Sequence, residues 1–190
     1  MRPVLLPTLL VGCLLAFLTA LSPSNTAIAQ PDHAHHPPRV QSGLPYDALF
    51  IDSMMVHHQG AVDMARALQG QTRRPELLTM AGAIIDTQQS EIEFMTELRR
   101  QLFPDLPATP GLATDMRAMA VAPEDGRPYE QRFLEAMLSH HEAAIAMARE
   151  ALQLARNADL KDLAAEIIRA QKEEIVTMRE WLRDWYGVVP

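Results

Sequence analysis

From residue 46 onward, apolar and polar positions alternate with the period of an α-helix. Phe50, Met54, His57, His58, Ala61, Met64 and Ala65 recur at steps of three and four, which places them on one side of a helix. At about 100° per residue the two histidines, Ala61 and Met64 all fall within about 80° of Met54, with Asp52, Gln59 and Asp63 on the opposite side. This predicts a first helix over Tyr46–Gln69. Gly70-Gln71-Thr72-Arg73-Arg74 breaks the period, and Pro75-Glu76 restarts it, since proline suits the first turn of a helix. Leu77, Met80, Ala81, Ile84, Ile85, Gln88, Ile92 and Met95 form the inward stripe of a second helix reaching about Phe103. Glu76, Asp86, Glu93, Glu97, Arg99 and Arg100 fall mostly outside it. Pro104, Pro107, Pro110 and Gly111 stop that helix. Pro128 restarts a third, about Tyr129–Arg156, and Asn157-Ala158-Asp159 supplies a turn and an N-cap for a fourth that ends near Gly187.

The second pair of helices repeats the first. Adding 83 carries Phe50 onto Phe133, Met54 onto Met137, His57 and His58 onto His140 and His141, and Met64 onto Met147 without a gap. The second helix maps equally well: Ile84 falls on Ile167, Gln88 on Gln171, Glu91 on Glu174, Ile92 on Ile175 and Met95 on Met178. A helical hairpin cannot bury its apolar stripe alone. Two of them joined by a crossover are expected to close an all-α four-helix bundle with a pseudo-two-fold axis. The expected domain spans 46–187, with repeat one at 46–103, a connector at 104–127 carrying Met116 and Met119 and room for one short helical turn, and repeat two at 128–187.

The residues before this domain have a different character. Arg2, an almost wholly apolar run from Val4 to Leu21, and Ala27-Ile28-Ala29 match a secretory signal cut after Ala29, so residues 1–29 are read as a leader. Leu10-Val11-Gly12-Cys13 offers a competing lipoprotein cut, but the apolar run continues beyond Cys13. Residues 30–45 are rich in Pro and His without an apolar period, which predicts a disordered arm. No later run has the roughly 18 consecutive apolar residues that a spanning helix needs. The expected location is therefore the periplasm or the medium, with no membrane attachment after cleavage. The formal net charge is −7, and loss of Arg2 with the leader makes it more negative, which disfavours nucleic acid as a partner. Cys13 is the single cysteine, so the cleaved chain has neither a disulfide nor a thiolate.

Metal chemistry in such a chain must use His, Met and carboxylates. The seven histidines form three clusters: His33, His35 and His36 in the arm, His57 and His58, and His140 and His141. Two imidazoles on each of two inward faces are costly to bury unless they are coordinated or hydrogen-bonded. Neighbouring thioethers make a soft, neutral donor set that favours monovalent copper or silver over Mg, Ca or Mn; zinc is served better by Cys, His and carboxylate. The candidate metal ligands are His57, His58, Met54, Met64 and Met95 in one half and His140, His141, Met137, Met147 and Met178 in the other. Each methionine taken singly, Met54 and Met80 included, also reads as core packing. Gln88 and Gln171 with Glu91 and Glu174 read either as groups that hold imidazole N–H or as buried polar links between helices. The arm histidines read as a capture tail or as a solvated segment, and Met116 and Met119 are weak candidates. With ordinary imidazole pKa values, metal affinity is expected to weaken below about pH 6.

Met54-x-x-His57-His58-x-x-Ala61-x-x-Met64-Ala65 and Met137-x-x-His140-His141-x-x-Ala144-x-x-Met147-Ala148 resemble the signature of the domain-of-unknown-function 305 family. The resemblance covers nearly the whole chain after the leader. It implies an exported bacterial protein with a ferritin-like helical bundle, copper or silver binding, and a role in metal tolerance. The expected function is sequestration or transfer of Cu(I), with a periplasmic copper donor or acceptor protein as a further partner and no enzymatic activity. Three alternatives remain open: a structural or partner-binding bundle with buried histidines, a b-type haem bundle, and a di-iron protein. The last needs Glu-x-x-His on two helices, whereas Asp52 and Glu135 stand five residues before His57 and His140.

Overall fold

The computed structural model describes residues 43–109, 111–112 and 120–189. The leader, the arm histidines His33, His35 and His36, and Met116 and Met119 lie outside the described residues. The described chain forms four helices: α1 (Tyr46–Gln69), α2 (Pro75–Leu102), α3 (Tyr129–Leu154) and α4 (Ala158–Tyr186). No described helix is long and apolar enough to cross a membrane.

Local signals set these boundaries. Pro75 occupies the first position of α2, where its missing N–H costs nothing. Asn157 caps α4 by accepting a hydrogen bond from the Leu160 backbone N–H at 3.1 Å. Gly187 ends α4 in the left-handed region at φ 67°, so the Gly187 and Val188 N–H groups reach back to Arg183 O and Leu182 O, a Schellman closure. The third helix stops at Leu154, two residues short of the expected Arg156. There the Arg156 and Asn157 N–H groups donate to the two Asp47 carboxylate oxygens at 2.9 and 3.0 Å instead of continuing a helix. Glu130, the repeat equivalent of Asp47, makes the reciprocal tie. It accepts from Thr72 Oγ1, from Arg74 Nε at 2.9 Å and from Tyr186 Oη at 2.9 Å. Thus the first turn of each repeat holds the hairpin turn of the other.

The interior consists of two apolar layers with a polar layer between them. One layer gathers Ala61, Met64, Leu68, Leu77, Met80, Ile84, Phe133, Met137, Ile175, Met178 and Leu182. The other gathers Phe50, Ile51, Met54, Met95, Leu98, Ala144, Ala148, Leu160 and Ile167, with Met147 packed against it. Residues that follow His57 on α1 therefore share a layer with residues that precede His140 on α3, and the reverse holds on the other side. The two helices cross in opposite senses at the histidines, and pseudo-equivalent halves face each other across that crossing. Ala61 and Ala144, one turn beyond each histidine pair, are fully buried, and their small side chains permit the close approach.

The connector is fastened at Asp52 and Ser53. Arg99 Nε donates to Asp52 Oδ1 at 2.9 Å, its other nitrogens cap the Phe103, Leu106 and Pro107 carbonyls, and the Thr109 N–H donates to Asp52 Oδ2 at 2.7 Å. Asp52 and Arg99, placed outside by the helical period, thus form a nearly buried ion pair, each side chain 11% exposed. Ser53 Oγ accepts from the Leu112 N–H at 2.5 Å. Beside it Gly111 has φ 70°, and a Cβ there would sit 2.7 Å from Ser53 Oγ, so only glycine fits this passage.

Candidate metal centre

The polar layer holds His57, His58, His140 and His141, all fully buried, together with Gln88 and Gln171 at 2% and 3% exposure. His57 and His140 meet at the pseudo-two-fold axis with ring centroids 3.6 Å apart. His58 and His141 stand outward of them, 6.4 and 6.2 Å from their sequence neighbours. The outer rings are held by carboxylates of their own hairpins. His58 Nε2 lies 2.6 Å from Glu91 Oε2, and His141 Nε2 lies 2.5 Å from Glu174 Oε2. These contacts fix each ring's orientation and leave Nδ1 directed elsewhere. The inner pair departs from symmetry, because His140 Nε2 pairs with the His57 carbonyl at 3.0 Å while neither ring nitrogen of His57 has a partner.

His57 Nδ1 and Nε2, and Nδ1 of His58, His140 and His141, are buried without a hydrogen-bond partner. An orphaned buried polar atom costs about 1–3 kcal/mol, so this clustering of them is expensive. Burial, and next the charge of the adjacent His140 ring, hold the His57 pKa down to about 2; burial, and next His141, hold His140 at about 3. Both rings are neutral at any physiological pH, with lone pairs available to a cation. The expected loss of affinity below about pH 6 assumes an ordinary imidazole, and these two rings have been moved well below that window.

The candidate methionines are placed on either side of this layer, but not by repeat. Met54 and Met95 share a layer with Met147, whereas Met64 shares one with Met137 and Met178. By layer, Met64 thus stands with Met137 and Met178, and Met147 with Met54 and Met95, a grouping that crosses the repeats: Met64 and Met147 lie nearly three helical turns beyond Met54 and Met137, past the α1–α3 crossing. Met54, Met95, Met137 and Met178 are fully buried, Met64 nearly so, and Met147 half-buried. Of the polar residues flanking the histidines, Glu91 and Glu174 hold imidazoles. Gln88 and Gln171 leave their Oε1 atoms unpartnered, so the imidazole-holding reading fits the two glutamates, and the unpartnered oxygens support neither reading of the two glutamines. Met80, treated in the sequence as core packing, joins the Met64–Met137–Met178 layer; its repeat equivalent is Leu163, so the duplication gave no signal for it.

Among the described residues no group of three or more His, Cys, Asp and Glu side chains converges as a metal site.

Residues 47–182 match the family described as Domain of unknown function (DUF305). No curated protein matches the chain. Among solved structures, CopM in its Cu(I)-bound form is similar at 35% identity and a TM-score of 0.64, covering 74% of this chain and 98% of that one. CopM co-crystallised with silver is similar at 33% identity and 0.62 over the same shares. A DUF305 protein of Streptomyces coelicolor is similar at 27% identity and 0.63, covering 74% of this chain and 93% of its own.

Proposed function

The chain belongs to the DUF305 family, and from that premise we propose that it is an exported protein that sequesters or hands on Cu(I), with Ag(I) as an alternative cargo. The carrying observation is the fully buried histidine layer, whose unpartnered ring nitrogens lie between two layers that each contain three of the candidate thioethers. The similarity to CopM structures bound to Cu(I) and silver supports the same reading.

The packing supports a reading with two pseudo-equivalent donor sets. One consists of His58 with Met54, Met95 and Met147; the other of His141 with Met137, Met178 and Met64. His58 and Met54 stand one turn apart on α1, and Glu91, which holds His58, stands one turn from Met95 on α2. His57 and His140 lie between the sets and can serve either. Cu(I) supplies no redox step in this reading. It binds as cargo, and the chain's part is to desolvate it and offer sulfur and neutral nitrogen. Glu91 and Glu174 keep the outer imidazoles oriented and raise their basicity.

Titration of the purified protein with Cu(I) under reducing conditions tests this. The expected stoichiometry is two, falling sharply when all four helical histidines become alanine. Unchanged stoichiometry and affinity in that variant would overturn the assignment, and a melting temperature indifferent to Cu(I) and Ag(I) would favour a purely structural bundle. Export is checked separately, by finding Gln30 as the amino terminus of protein recovered outside the cytoplasm.

A further inference from the structure

The two repeats differ where the buried layers meet the surface. A groove lies against Pro75, Glu76, Thr79, Met80 and Ala83 of α2 and Glu174 and Trp181 of α4. Two of its lining residues also belong to the interior. Met80, 9% exposed, lies in the same buried layer as Met64, Met137 and Met178. Glu174, 23% exposed, holds His141 at 2.5 Å. Solvent on this face is thus one thioether from the sulfur layer and one carboxylate from an otherwise inaccessible imidazole. Trp181 lines the groove, packs against the same layer and stacks on Trp185 at 4.9 Å.

The pseudo-equivalent position on the other side lacks this equipment. There Leu163 stands for Met80, Leu98 for Trp181 and Glu166 for Ala83. Leu98 is buried, and Glu91 is 14% exposed, less than Glu174. The duplicated chain therefore keeps His, Glu and the inner methionines in both halves but places a thioether at this groove-lining position of the second helix of the hairpin in one half only.

We propose that this groove is the loading port for the soft cation, with Met80 as the first thioether it meets before His141, Met137, Met178 and Met64. The inference rests on the metal-binding reading above. In it Glu174 attracts the cation electrostatically, Met80 strips its remaining water, and the buried sulfurs accept it by ligand exchange. The half carrying Leu163 and Leu98 fills later.

The test follows Trp181 emission by stopped flow as Ag(I) is added to the intact mature protein carrying Trp185→Phe, which isolates the one reporter. The first equivalent of Ag(I) is expected to quench Trp181, and Met80→Leu to slow that phase at least tenfold while the final stoichiometry stays the same. Leu163→Met, tested separately, is expected to accelerate filling of the second equivalent. Quenching that waits for the second equivalent, or a folded Met80→Leu variant that fills at the same rate as its parent, would overturn the port. Absence of any Ag(I) binding would instead overturn the metal-binding reading, so the two failures are distinguishable.

Discussion

Removing the protons from the problem, or adding them, gives the most direct probe of the histidine pair. In the folded apoprotein His57 and His140 resist protonation down to about 2 and about 3, whereas in the unfolded chain each titrates near its ordinary value of about 6.5. The unfolded state therefore binds more protons below that value, and stability falls as pH falls from about 6.5 toward about 3, with no contribution above it. Between pH 7 and pH 5 each ring costs roughly 2 kcal/mol, so the pair costs about 4 kcal/mol. With a urea slope of about 2 kcal/mol per molar, the denaturation midpoint should drop by about 2 M. The interval lies above the usual carboxylate range, which leaves histidines as the main groups that titrate in it.

The control is the double variant His57→Gln, His140→Gln, whose neutral amides gain no proton. Its midpoint should be nearly level between pH 7 and pH 5, apart from any contribution of His58 and His141, which both proteins retain. The reasoning fails if the wild-type midpoint moves by less than about 0.5 M, or if the double variant loses as much as the wild type.

Three other expectations follow. Glu91→Gln and Glu174→Gln should each leave the fold intact and weaken Cu(I) binding about 10- to 100-fold, measured by competition with a chromophoric Cu(I) chelator; unchanged affinity would show that the carboxylates do not orient ligands. Asp47→Ala strips the partner from the Arg156 and Asn157 N–H groups and should cost about 1–3 kcal/mol in urea denaturation at pH 7. Ala144→Leu, at a fully buried position beside the α1–α3 crossing, should cost about 1–3 kcal/mol by overpacking, whereas a neutral result would mean that the helices are not held as close as described.

The helices were legible because their boundaries are chemical: Pro75, Pro104, Pro128, Asn157 and Gly187 each act through the backbone of their own neighbourhood. The grouping of the candidate donors was not. A helical wheel places His57, His58, Met54 and Met64 on one face, but it carries no information about where the partner helix crosses. Only the meeting of His57 with His140 shows why Met64 shares a layer with Met137, and Met147 one with Met54. The inward placement of Asp52 and Arg99 was hidden for a related reason. The helical period assigns charge to the outside, and it is the connector's carbonyls and the Thr109 N–H that cover this pair. The reciprocal ties of Asp47 and Glu130 had a signal in the repeat, since these acids occupy equivalent positions in the first turn of each hairpin, but only tertiary structure shows what they hold.

On the proposed donor sets, this crossing joins cargo binding to assembly. The α1–α2 hairpin supplies Met54, His58 and Met95 but lacks Met147, and the α3–α4 hairpin supplies Met137, His141 and Met178 but lacks Met64. Neither hairpin holds a full set, so a bound cation stabilises the docked arrangement over any state in which the repeats part, by RT ln(1 + [L]/Kd) for each site. The same geometry explains why orphaned imidazole nitrogens can persist in the core. On that reading their cost weakens the empty bundle, while the two layers and the Asp47 and Glu130 ties keep the halves in register until a cation binds. A bundle with those histidines replaced by leucine would be expected to fold more tightly and to bind nothing, which places the layer's value in the cargo and not in the fold.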